Sequence, residues 1–351
     1  MAAARASLFL LALRLSAASF ALKLAPARRC PDQAVHNVSM SAWGGSVIET
    51  PEDPDPAHRF HMFNGIYTSS CGVNYWRGNS AVAHLVSATP EGPFTYLDIA
   101  LPLWHTNPQV VRDPRDGTFV LFAIGQTVNR SAWIECNCSA TPACPPGPPN
   151  PNFAGVIDAH TSASPYGPWT PLLINGSTVV MHGTNPAPAF LPNGTLLLGA
   201  NSEGTKVAVV PDWRVGPYKL DGRGTIPNVP NVWWEDPFIF QHEGKWRQLV
   251  HQYPVVNGRP AHQFATGGYG ENSDVDDVFA PWTFGGTADP AYTTNVTYDD
   301  GVTETLNRRE RPKLLFTADG RAFLYTAAQS PLNASRDFSF TLVQEVLAFP
   351  A

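Results

Sequence analysis

The chain is 351 residues long and carries 34 Pro and 28 Gly, a density of backbone-breaking residues that excludes a helical bundle or coiled coil. Charged residues are 15% of the chain and hydrophobic residues 43%, which excludes intrinsic disorder. With 29 acidic residues against 23 Lys and Arg the net charge is −6, so the basic face needed to grip a phosphate backbone is missing and nucleic acid is not an expected partner.

The first acidic residue is Asp32, preceded by Arg5, an apolar run over 7–13 and small residues over 16–21. This pattern predicts a secretory signal peptide over 1–21, cut after Ala21, with an organelle transit peptide as the alternative; the run is too short to span a membrane. Residues 22–40 then form an N-terminal segment, and the product is expected outside the cell or in the endomembrane lumen. Seven N-x-S/T acceptors, at Asn37, Asn129, Asn137, Asn175, Asn193, Asn295 and Asn333, exceed chance and predict a glycosylated surface. Of the five cysteines (Cys30, Cys71, Cys136, Cys138, Cys144), three lie in a Pro-rich insertion over 136–151. A disulfide clamping that loop is the expected use, because Cys-x-Cys-x5-Cys lacks a fourth ligand at zinc spacing; the odd count leaves one thiol over.

From residue 41 onward one unit recurs five times: a polar pair, Pro, an apolar strand, a Gly or Asp turn, and a second apolar strand. It opens at Trp43-Gly44-Gly45 in a degenerate first copy, then at Thr106-Asn107-Pro108, Thr184-Asn185-Pro186, Glu235-Asp236-Pro237 and Glu310-Arg311-Pro312. Four units close on a related segment, SATPEGPFT at 87–95, SASPYGPWT at 162–170, PDWRVGPYK at 211–219 and DDVFAPWTF at 276–284, which ends a third strand and begins a fourth. Units of three or four strands with Gly and Asp turns predict an all-β, five-bladed β-propeller over 41–351, with inner strands starting near 44, 107, 185, 236 and 311 and SFTLVQEVL as the last strand. A β-sandwich is the alternative.

In a propeller the starts of the five inner strands converge on the central channel, so the repeat itself collects a polar cup: Trp43-Gly44, Thr106-Asn107, Thr184-Asn185, Glu235-Asp236 and Glu310-Arg311. Trp43, Trp104, Trp233 and Trp234, with Tyr75 and Trp76, gather near the same entrances, where aromatic rings could stack on sugar faces. His105 and His182, just ahead of their Asn-Pro pairs, are candidates for proton transfer or for donation to a hydroxyl. His61, His84 and His251 are read as wall residues. Arg112-Asp113-Pro114 and Glu52-Asp53-Pro54 fall at hairpin turns, where an acidic turn residue is the simplest reading.

The five inner-strand starts, and above all Trp234-Glu235-Asp236-Pro237 followed by an apolar strand and Gly244-Lys245-Trp246, resemble the five-bladed propeller enzymes of glycoside hydrolase families 43 and 32, over roughly residues 40–350. The resemblance implies a divergent glycoside hydrolase acting on a poly- or oligosaccharide, working as a monomer without a cofactor, with a calcium ion in the channel as an option for which Asn107, Asn185 and Asp236 offer oxygens. It places the general acid on Glu235, and a Glu beside Trp233 or Trp234 in a narrow channel has the desolvation that an acid needs. Two other family carboxylates are missing: the third-blade Asp is Asn185, and the first-blade Asp falls on Gly44 or Trp43. Glu310, Asp236 or Asp158 are the candidate replacements, with Arg308, Arg309 and Arg311 placed to hold Glu310 in ion pairs. Trp43, Asn107, Asn185, His105, His182, Trp234 and Arg311 would contact the sugar. The alternative is a carbohydrate-binding propeller that has lost its second carboxylate and with it catalysis.

Overall fold

In a computed structural model of the chain, each sequence unit folds as one antiparallel sheet, and five such sheets form a five-bladed β-propeller. The structure describes residues 19–28, 41–125, 155–201, 205–225, 231–261, 265–274, 276–331 and 337–350. The Pro-rich insertion, Asn37, Asn129, Asn137, Asn333, every cysteine but Cys71 and almost all of the expected signal peptide lie outside these residues. The first blade comprises Ser41–Glu49, Phe60–Tyr67, Ser80–Ser87 and Thr95–Leu101. The second comprises Thr106–Arg112, Phe119–Gly125, Val156–Ser162 and Val179–His182. The third comprises Thr184–Phe190, Leu196–Asn201, Thr205–Val210 and Leu220–Gly224, and the fourth Val232–His242, Lys245–Val256, Thr266–Asn272 and Trp282–Phe284.

The fifth blade departs from the expected order. Its inner three strands are Arg308–Phe316, Ala322–Gln329 and Phe340–Ala348, so SFTLVQEVL belongs to a third strand. The fourth is Lys23–Leu24, from the segment the repeat leaves out, with Leu24 opposite Val346 and Lys23 opposite Ala348. Between the fourth and fifth blades a hairpin of Asn295–Thr297 and Thr303–Thr305 lengthens the connection.

Residues alternate along the middle strands between the two neighbouring blades, so both faces of each sheet are covered and the strands read as nearly unbroken apolar runs. Phe119, Leu121 and Ala123 pack with Phe63, Val82 and Leu101 of the first blade, while Val120 and Phe122 pack with Leu196, Leu198 and Ala208 of the third. Equivalent clusters join the third blade to the fourth (Leu197, Val207, Ile239, Trp246), the fourth to the fifth (Phe238, Leu249, Leu314, Leu324) and the fifth to the first (Leu315, Phe323, Tyr325, Met62, Leu85). The core is therefore a ring of five seams, in which truncating a buried Phe would cost about 3–5 kcal/mol. The three Gly-Pro pairs of the closing motif, Gly92-Pro93, Gly167-Pro168 and Gly216-Pro217, are all cis.

Candidate functional site

All five inner strands carry the same irregularity at their start. Register breaks between Trp43 and Ser46, Thr106 and Gln109, Thr184 and Ala187, Glu235 and Phe238, and Glu310 and Lys313, so two residues face one on the neighbouring strand. The first residue of each bulge is left-handed: Gly44 (φ 77°), Asn107 (49°), Asn185 (54°), Asp236 (55°) and Arg311 (54°). Gly, Asn and Asp tolerate that conformation; Arg does not do so readily, at a cost of about 1–2 kcal/mol. In four of the five, the Pro that follows has no N–H to leave unpaired at the break in the ladder; in the first blade that residue is Gly45. The polar pair and Pro of the sequence repeat are thus the signature of a bulge.

The bulges aim these side chains at the propeller axis, where they bond to each other. Asn107 Nδ2 donates to Asn185 Oδ1 at 2.9 Å, and Arg311 Nη1 donates to the same oxygen at 2.7 Å. Arg311 also meets Asp236, through its backbone N–H to Oδ2 and its guanidinium to Oδ1, both at 3.3 Å. Lys313, which sequence reasoning missed, closes the network: its Nζ donates to Gly44 O (2.9 Å), Pro108 O (2.8 Å) and Asn107 Oδ1 (3.2 Å). Burial, and then the Arg311 charge, bring the Lys313 pKa down to about 7. A Cβ at Gly44 would lie 2.9 Å from Asn107 Oδ1 and 3.0 Å from Arg311 Cδ. The place of the first-blade carboxylate in the resembled families is therefore crossed by the Arg311 side chain. The calcium option does not fit: the oxygens of Asn107 and Asn185 are already taken by Lys313 and Arg311, both cations.

Beside this floor sits a cluster of charge. Asp236, His251 and Glu310 bring one ligating atom each within 4.8 Å of one another. Glu310 is bonded by Arg308 Nε at 2.8 Å, the ion pair anticipated from sequence. Arg309 instead turns into the interior, donating to Thr293 O and Gln344 Oε1 at 2.9 and 2.6 Å. Burial raises the pKa of Glu310, but Arg308 and His251 outweigh it and hold the group low. Asp236 behaves likewise: Arg311 and His251 overcome its burial, and it stays ionised. His251 Nδ1 lies 3.6 Å from Asp236 Oδ2, beyond a hydrogen bond, yet the field of Glu310, Asp236 and Glu235 more than offsets burial and favours its charged form. Glu235 goes the other way: burial, reinforced by Asp236 and Glu310, pushes it up to about 7. One carboxyl is held protonated next to two held ionised.

The remaining sequence candidates fall differently. Trp43 is 1% exposed and packed with Tyr67, Tyr75 and Phe338, with the Arg308 guanidinium 4.8 Å above its ring, so it and Tyr75 are wall and not platform. Trp234 is half-buried against Phe284, and Trp233 is 52% exposed. Asn107 and Asn185 are buried and turned towards each other. His182 is exposed on the edge strand of the second blade, and His105 is tied to Asp158 at 3.0 Å. Asp113 is fully buried, bonded by Trp213 Nε1 (2.7 Å), Arg115 and Arg214, which staples the second blade to the third from a turn position. His61 and His84, also read as wall residues, are a buried bonded pair (Nδ1 to Nε2, 2.9 Å).

A scan against protein-family models finds no match, and a search of curated proteins finds none. Solved structures do match. A xylan β-1,4-xylosidase from Bacillus halodurans aligns with TM-score 0.56 and 14% identity, covering 89% of this chain and 54% of that one, so the chain spans about half of that enzyme. A GH43_1 enzyme from Xanthomonas citri (0.54, 13%) covers 92% and 91%, and an endo-arabinase from Bacteroides thetaiotaomicron (0.55, 11%) covers 90% and 98%. The chain has the fold of these five-bladed glycoside hydrolases at very low identity.

Proposed function

We propose that the protein is a glycoside hydrolase, with Glu235 as the general acid and Glu310 as its ionised partner. The observation that carries this is the splitting of neighbouring carboxyls into one protonated near neutral pH and others held ionised, which is the division of labour that glycosidic cleavage requires. Glu235 would protonate the leaving oxygen. Glu310, with its charge kept by Arg308 and His251, would serve the anomeric carbon as base or nucleophile. Asp236, 4% exposed and gripped by Arg311, is better suited to keeping Glu235 protonated than to touching substrate. Trp234 is the aromatic best placed to line the entrance.

One observation favours a second reading, a carbohydrate-binding propeller without catalysis: the position of the family's first-blade carboxylate is Gly44, and Arg311 fills the space. A panel of aryl glycosides and polysaccharides, assayed with wild type, Glu235→Gln and Glu310→Gln, separates the two. Hydrolysis lost by at least a hundredfold in both variants supports the enzyme. Sugar binding without turnover in all three proteins supports the binding module, and equal turnover by Glu235→Gln removes Glu235 from the acid role.

We also read the chain as an exported glycoprotein. Asn175, Asn193 and Asn295 are exposed, as acceptors must be. Expression in a secreting eukaryotic cell, with a mobility shift on glycosidase treatment, tests this.

A further inference from the structure

A second cluster lies in the seam between the first and second blades. His105 ends the connection between them, and Asp158 and His160 stand two apart on the strand Val156–Ser162, hence on one face of it. Their ligating atoms all lie within 4.8 Å of one another. His105 Nδ1 is 2.9 Å from the carbonyl of Pro102, so that nitrogen carries the proton and, in the neutral ring, Nε2 is a lone pair. That lone pair faces Asp158 Oδ2 at 3.0 Å, two acceptors looking at each other.

A proton on Nε2 would satisfy this one contact and leave the rest unanswered. Among the described residues, no hydrogen-bond partner reaches Asp158 Oδ1 or His160 Nδ1, both buried in residues only 8% and 7% exposed. Two such buried polar atoms cost about 1–3 kcal/mol each unless something binds them. The backbone has been cleared for the carboxylate: a Cβ at Gly125 would come within 2.2 Å of Asp158 Oδ2.

We propose that His105, Asp158 and His160 form a divalent transition-metal site of the zinc class. Two imidazoles and one carboxylate are a zinc donor set, the 3.0 Å between His105 Nε2 and Asp158 Oδ2 suits neighbouring ligands of a tetrahedral ion, and the bond from His105 to a backbone carbonyl is the outer-shell contact that orients a ligating histidine. The three side chains are distinct from the Asp236, His251 and Glu310 group. The ion would pin the connection over 102–105 to the third strand of the second blade, a structural task.

The test uses the full chain stripped with chelator and then given zinc alone, or cobalt(II) alone. One equivalent of zinc per chain, a raised melting temperature, and tetrahedral cobalt absorption without a thiolate charge-transfer band are expected. His105→Gln and His160→Ala should each weaken zinc at least tenfold, while His251→Gln retains it. Zinc binding unchanged in His105→Gln, no stoichiometric zinc in the wild type, or a thiolate band would overturn the proposal. If His160→Ala fails to fold, the partly exposed His105→Gln and the wild-type cobalt spectrum still decide.

Discussion

Replacing Glu235 with Gln should abolish turnover and, above neutral pH, make the protein more stable. The folded-state pKa of Glu235 is raised from 4.5 to about 7, mainly by burial and then by Asp236 and Glu310. Between those values the folded state binds more protons than the unfolded chain. The stability of the protonated form is therefore complete below pH 4.5 and is lost as pH rises through 7. Raising the pKa from 4.5 to about 7, at about 1.36 kcal/mol per tenfold change in proton affinity, amounts to about 3 kcal/mol of ionisation work in the wild type, which a neutral Gln does not incur. Urea unfolding of both proteins at pH 4.5 and pH 9 should give similar stabilities at the lower pH and an advantage for Glu235→Gln of up to about 3 kcal/mol at the higher. An equal loss of stability at both pH values would mean that Glu235 is ionised and well solvated when folded, and the acid assignment would fall with it. The same experiment on Asp236→Asn should shrink the difference, because one of the two charges that hold Glu235 protonated is gone.

Other perturbations probe the axis and the seams. Gly44→Asp, which restores the carboxylate of the resembled families, should cost roughly 2–4 kcal/mol from its left-handed backbone and the clash with Arg311. Adding Arg311→Gly should recover part of that loss, and strict additivity in the double-mutant cycle would refute the steric block. Lys313→Met removes the buried donor shared by Gly44 O and Pro108 O and should lower stability by on the order of 3 kcal/mol, read from chemical denaturation. His84, stacked between His61 and Phe63, is pushed by burial, then by His61, from 6.5 to about 3. Its folded form resists protonation, so stability should fall as pH drops from 6.5 towards 3, by up to about 1.4 kcal/mol per unit, and His84→Phe should show a shallower decline.

The blades were legible because the repeat records a backbone event. Asn107-Pro108, Asn185-Pro186 and Asp236-Pro237 each pair a residue that tolerates a left-handed conformation with one that needs no hydrogen bond, so the bulge is written locally. The position of Glu235, one residue ahead of the fourth-blade bulge, was legible for the same reason. What the side chains then do was not: Arg311 bonds partners 75 and 126 residues away, and no local pattern encodes which of them it reaches. Lys313 was hidden at the head of an apolar strand, where a lysine reads as an edge charge and not as a buried donor to three oxygens. Trp43 looked like a platform because position in the repeat does not reveal that Arg308 covers its ring. Lys23–Leu24 is two residues long, too short for any periodicity, although it completes a blade.

That short strand would constrain any processing of the N-terminus. Beyond the two paired residues, Ala25 N–H donates to Glu345 O at 2.9 Å, and Gln344 Nε2, 319 positions away, donates to Ala25 O at 2.7 Å. The contact that fastens the fifth blade, on which Glu310 and Arg311 sit, thus hangs on the few residues directly after the expected cleavage point at Ala21. A processing enzyme cutting there leaves the clasp intact; one cutting four residues later removes both paired residues and leaves the blade with three strands. Any removal of the expected leader would therefore have to stop short of the stretch that fastens the ring.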